Sequence, residues 1–144
     1  MTRGQIAIIT KDGIMTSTEF NGDMYMPTKQ WRGRGQLVVN ALKRTNDIAD
    51  YQYEVAKFNK ENHHYNDTTL VHKYNGYEML DFTKDYFENW FSDYVYLKNL
   101  TKETAKLKTT ITDDIGRDIG KKEVQLEPNQ IAVINFGELV KVVG

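Results

Sequence analysis

The sequence predicts one α+β domain over residues 1–144. Its antiparallel sheet is formed by an N-terminal meander and C-terminal hairpin strands, with two to three central helices packed on it. Three observations carry this expectation. Both ends of the chain hold short β-branched runs separated by Gly- and Asn-containing turns. The middle switches to a helical period. Two distant segments nearly match, Gln5-Ile6-Ala7-Ile8-Ile9-Thr10 and Gln130-Ile131-Ala132-Val133-Ile134-Asn135. Each is an almost unbroken apolar run, the pattern of a strand covered on both faces. The two ends are therefore expected to meet in one sheet.

The elements follow in order. Gln5 to Thr10 is the first strand, and Lys11-Asp12-Gly13 turns the chain. Ile14 to Phe20 is the second strand, and Asn21-Gly22 is a strong hairpin signal. Asp23 to Met26 makes a short third strand that Pro27 ends. From Gln36 to Lys60, Val38, Leu42, Ile48, Tyr51, Val55 and Phe58 recur at helical spacing and give one apolar stripe. Thr45-Asn46-Asp47 interrupts it with a capping triplet, so two helices are expected, the second capped by Asn46 or Asp47.

A second Asn-Gly pair, Asn75-Gly76, joins Thr69–Tyr74 to Tyr77–Phe82 in a hairpin that sets Lys73 opposite Glu78. A third helix is expected over the most aromatic stretch, with the stripe Phe87, Trp90, Phe91, Tyr94 and Leu97 in the core. Tyr86 and Tyr96 fall off that stripe and are expected to be exposed. Strands then return at Leu107–Thr112 and Lys122–Leu126, with 113–121 between them as a loop. Gln130–Asn135 and Leu139–Val143 close the chain as a hairpin about Phe136-Gly137-Glu138.

Composition narrows the function classes. The chain has 144 residues and no cysteine, so disulfides and thiolate metal sites are excluded. No run of about 18 apolar residues occurs, so no membrane-spanning helix is expected. The start of the chain lacks the apolar stretch of a secretory signal, and the expected location is cytoplasmic. A net charge of −1 argues against general nucleic-acid capture. Abundant Asn, Lys, Tyr and Asp is a bias common in AT-rich genomes, including those of low-GC bacteria and their phages. Only Ser17 and Ser92 supply serine hydroxyls, and no G-x-S-x-G elbow exists.

Four groups remain as site candidates. Lys29, Trp31, Arg32, Gly33, Arg34 and Gly35 precede a helix start. Free N–H groups there favour anions, arginine forks grip phosphate or carboxylate, and Trp and Arg are typical interface anchors. The pattern is neither a phosphate-binding P-loop nor a dinucleotide fingerprint. His63, His64, Asp67 and His72 are metal-binding types in a spacing that fits no metal motif. Asp81, Asp85 and Glu88, with Asp113, Asp114 and Asp118, are the paired carboxylates, which more often form a solvated face. Tyr86 and Tyr96 are candidate contact aromatics.

The leading expectation is a small non-enzymatic binding or inhibitor-type accessory protein, phage-encoded, engaging a partner protein or an anionic nucleotide-like ligand. Its contacts would be Lys29, Trp31, Arg32, Arg34, Tyr86 and Tyr96, with no cofactor and no metal. One alternative is a metal-dependent nucleotide or phosphodiester hydrolase using His63, His64, Asp67 and His72. Another is a homo-oligomeric structural protein whose sheet edges pair between copies.

Overall fold

The computed structural model describes residues 2–17, 19–61, 68–72, 93–113 and 117–144, with 68–72 described for its backbone alone. The strands are β1 (Arg3–Thr10), β2 (Gly13–Ser17), β3 (Phe20–Asn21), β4 (Thr68–His72), β5 (Tyr94–Asn99), β6 (Ala105–Thr112), β7 (Asp118–Leu126), β8 (Ile131–Asn135) and β9 (Glu138–Val143). The helices are α1 (Gly35–Lys43) and α2 (Ile48–Glu61).

Among the described residues the main sheet runs β4-β2-β1-β5-β8-β9, with β3 added to β1 beyond the end of β2. The two near-identical apolar runs are the strands on either side of β5. The ends of the chain thus share one sheet, but through an intermediary. β5 lies parallel to β1 and antiparallel to β8, so the sheet is mixed rather than purely antiparallel. The parallel pair has a physical origin. Parallel neighbours need a long crossover, and here the whole stretch containing α1, α2 and β4 separates β1 from β5.

Covering layers explain why these strands are apolar on both faces. Ala7, Ile9, Val95, Leu97, Ala132 and Ile134 share a buried cluster with Leu107, Val124 and Leu126 of the β6–β7 ribbon. Ile6, Ile8, Tyr96 and Val133 share the opposite cluster with Val38 and Leu42 of α1 and Tyr51, Val55 and Phe58 of α2. The stripe read from the sequence is therefore buried, except that Ile48 remains 38% exposed.

The expected break between two helices occurs. Asp47 Oδ1 accepts the Asp50 N–H at 2.7 Å, and Asp50 Oδ2 accepts the Asn46 N–H at 3.0 Å. Asp47 is thus the cap of α2. The closing hairpin also occurs, with Phe136 (φ 50°) and Gly137 (φ 82°) forming its two-residue turn.

Three expectations are corrected. The aromatic helix does not extend through Tyr94 and Leu97, because 94–99 is strand β5. Tyr94, Tyr96 and Lys98 alternate there with Val95, Leu97 and Asn99, and pairing with strands on both sides overrides the weaker helical spacing. Asp23–Met26 is not a strand. Gly22 (φ 96°) and Asp23 (φ 59°) turn the chain, and the short pairing falls on Phe20–Asn21 instead. The ribbon strand β7 begins at Asp118, inside the stretch expected as a loop. The Asn75-Gly76 hairpin turn and residues 86–91 lie outside the described residues. Of that region the structure gives only β4, which pairs with β2.

Candidate functional site

The basic loop is built from its base upward. Arg34 N–H donates to Asp23 O at 2.6 Å and Gly35 N–H to Tyr25 O at 2.9 Å, which ties the chain entering α1 to the segment after β3. The two glycines permit that approach. A β-carbon on Gly33 would stand 1.9 Å from Tyr25 O, and one on Gly35 would stand 2.3 Å from the Tyr96 hydroxyl oxygen. Their space is filled by the protein itself. It is not kept open for a phosphate.

Above this base the loop closes on Thr28. Thr28 N–H donates to Trp31 O at 3.0 Å, and Thr28 Oγ1 accepts the Trp31 N–H at 3.0 Å. Lys29, Trp31 and Arg32 project from the closed turn and are exposed, Trp31 at 63%. Arg34 is half-buried and is the N-cap of α1, where its side chain makes no capping bond. Its carbonyl accepts the Leu37 and Val38 N–H groups. The first turn of α1 carries no acidic residue. Among the described residues neither Lys29, Arg32 nor Arg34 forms an ion pair. The loop is thus a braced, positively charged projection with an indole at its tip.

Tyr96 does not belong to this surface. The expectation that it is exposed is overturned: its side chain is fully buried, and its hydroxyl donates to Met24 O. Burial, helped by neighbouring Tyr94, pushes its pKa far above the ordinary tyrosine value. It is part of the frame under the loop, since the same hydroxyl abuts Gly35. Tyr86 lies outside the described residues.

The proposed metal group is not assembled in what the structure describes. His63, His64 and Asp67 lie outside the described residues, and His72 is described only as a backbone partner of Ile14. Among the described residues no three His, Asp or Glu side chains converge to hold a metal ion. Of the carboxylates, Asp81, Asp85, Glu88 and Asp114 lie outside the description. Asp113 pairs with Arg117 at 2.7 Å, and Asp118 Oδ1 accepts the Gly120 N–H at 3.3 Å. The Ser17 hydroxyl is buried and accepts the Ile6 N–H at 3.0 Å.

Two polar features were not among the site candidates. Lys98 is 4% exposed, and its ammonium donates to Leu42 O at 2.7 Å and Thr45 O at 2.6 Å, closing the C-terminal end of α1. Burial pulls its pKa down, and the nearby Asp50 charge partly opposes this. The available signal was its place as the one charged residue between Tyr96 and Leu100. The second feature is an open cleft of about 770 Å³ beyond the carboxyl ends of β1 and β5, lined by Lys11, Asp47, Ile48, Leu100, Lys102 and Glu103 among others. Its two lysines are matched by two carboxylates, so it selects no sign of charge.

No protein-family model matches this chain, and neither a curated protein nor a solved structure is detectably similar to it.

Proposed function

We propose that this chain is a binding protein that docks through the 28–34 loop onto an acidic, partly apolar surface of another protein. The observation that carries this reading is Trp31, held 63% exposed on a turn that Thr28 closes with reciprocal hydrogen bonds. Leaving an indole in water is unfavourable unless a partner covers it. A turn already fixed in shape loses little conformational freedom on binding. Lys29, Arg32 and Arg34 flank Trp31 along the chain and form no ion pair among the described residues. Trp and Arg are the residue types that concentrate binding energy at protein interfaces.

The anionic-ligand reading rests on the same arginines and on an α1 first turn without acids. It is the weaker one. The glycines that would admit a phosphate are packed against Tyr25 and Tyr96, and the Gly35 N–H is already bonded to Tyr25 O.

A photoreactive amino acid at position 30, beside an intact Trp31, tests the docking reading in cells. A discrete protein adduct is expected, and Arg32→Glu/Arg34→Glu should abolish it while the melting temperature stays unchanged. Adducts that are diffuse, or indifferent to the charge reversal, would count against docking by this loop. A thermal-shift series with pyrophosphate and nucleoside triphosphates separates the alternative. A true ligand at 100 times its dissociation constant raises stability by about 2.7 kcal/mol.

A further inference from the structure

The open cleft of about 770 Å³ lies where the sheet parts. β1 and β5 run parallel, so their carboxyl ends stand side by side. From there β1 turns back into β2, while the chain after β5 leaves the main sheet for the β6–β7 ribbon. Loops that diverge from the carboxyl ends of neighbouring parallel strands leave a crevice between them, a common seat for small ligands. The start of α2 walls its third side. Small-molecule sites typically measure about 300–1,000 Å³, and this cleft falls inside that range.

All three walls are fixed from within. On the first loop, the buried Thr10 Oγ1 accepts the Asp12 and Gly13 N–H groups, both at 3.2 Å. On the second, the buried Asn99 Oδ1 accepts the Thr101 N–H at 2.9 Å, and its amide donates to Glu103 O at 2.9 Å and Leu126 O at 3.0 Å. The start of α2 is held by the Asp47 and Asp50 caps. Ile48, Ala49 and Leu100 give the cleft an apolar lining. Around it stand Lys11, Lys102 and Glu103, all exposed, and none forms an ion pair among the described residues. Asp47, the fourth charge, already accepts an N–H in its cap. A ligand of one sign meets attraction from one set of these charges and repulsion from the other. A ligand carrying both signs finds an opposite charge for each end.

We infer that this cleft binds a small zwitterion with an apolar body, of the amino-acid or dipeptide class. Its carboxylate meets Lys11 or Lys102, its ammonium meets Glu103, and its body lies on Ile48, Ala49 and Leu100. Exposed charge pairs contribute modestly, so selectivity comes from satisfying both ends at once. Walls that are already braced lose little conformational freedom when the ligand enters. The cleft shares no lining residue with the 28–34 loop, and neither reading depends on the other.

Titration of the full chain with leucine and with leucyl-leucine, followed by backbone amide NMR, tests it. The signals of Lys11, Ala49, Thr101 and Lys102 should shift together, with a dissociation constant of about 1 mM for the tighter probe. Blocking either end, as N-acetyl-leucyl-leucine or leucyl-leucine amide, should weaken binding about fivefold. Glu103→Gln, or Lys11→Gln/Lys102→Gln, should weaken leucyl-leucine by a similar factor at an unchanged melting temperature. The amide should lose nothing when the two lysines are removed, and the acetylated form nothing when Glu103 is. No shift with either leucine or leucyl-leucine overturns the inference. So do shifts that map away from the cleft, or blocked forms that bind as tightly as the free-ended dipeptide.

Discussion

At the C-terminal end of α1 a single lysine lies under the helix, with its ammonium on the carbonyls of Leu42 and Thr45. At the N-terminal end Lys29 and Arg32 face water, and Arg34 is half-buried at the cap. The helix dipole favours a cation at the first place and disfavours it at the second. The buried lysine therefore follows the local electrostatics, and the basic loop runs against them. A fold gains nothing from that second arrangement, whereas an encounter with an acidic partner does. The two ends separate charge that holds the structure from charge that is available for contact.

The largest expected effect comes from breaking the buried end. Lys98→Met keeps the apolar stem but removes the donor to Thr45 O and one of the donors to Leu42 O. Charge-assisted hydrogen bonds lost from a buried site cost about 2–3 kcal/mol. Urea unfolding should show that loss with an unchanged m-value. A cost below about 0.5 kcal/mol, the range of ordinary surface substitutions, would place Lys98 in the same class as the loop cations.

Tyr96→Phe sharpens the comparison from beneath the loop. It removes the hydroxyl that donates to Met24 O and should cost about 1–1.5 kcal/mol. It also has a pH signature. Burial raises the pKa of Tyr96 and of the equally buried Tyr51 in the folded chain. Below the unfolded tyrosine value of about 10 both states hold the proton, and the stabilisation is fully present. As pH rises past about 10, only the unfolded chain releases the proton readily, so stability falls. Lys98 works with the opposite sign, because its lowered pKa makes stability rise up to about pH 10.4. The alkaline decline should thus be confined to pH above about 10, and it should be shallower in Tyr96→Phe. An unchanged slope would remove Tyr96 from the set of groups that titrate with unfolding.

The legible parts of this fold are those governed by local chemistry. Asp47 caps α2 because its short carboxylate reaches a free N–H of the first turn, and Phe136-Gly137 turns because glycine accepts positive φ at no steric cost. What could not be read is non-local. Nothing in Tyr94–Asn99 announces that it lies between two distant apolar runs, so its aromatic spacing reads as helix until β1 and β8 are placed beside it. The same insertion makes the sheet mixed and buries Tyr96. In the loop, residue types pointed to a charged projection, and Lys29, Trp31 and Arg32 are indeed exposed. The glycines were ambiguous, because the contact that requires them is with Tyr25 and Tyr96, residues whose positions the sequence does not reveal.

The smallest effect on stability is expected where the effect on binding is largest. Arg32→Ala/Arg34→Ala removes two guanidinium groups that form no ion pair among the described residues. It leaves in place the backbone bonds of Arg34 to Asp23 O and from Leu37 and Val38. The N-cap of α1 and the loop before it lose two like charges near the positive end of the helix, a change that slightly favours the helix. Unfolding free energy should stay within about 0.5 kcal/mol of wild type or rise within that margin. A drop of 2 kcal/mol or more would show that these arginines brace the fold in the way Lys98 does. The contrast between the two ends of α1 would then disappear, and with it the reason to assign the loop to a partner.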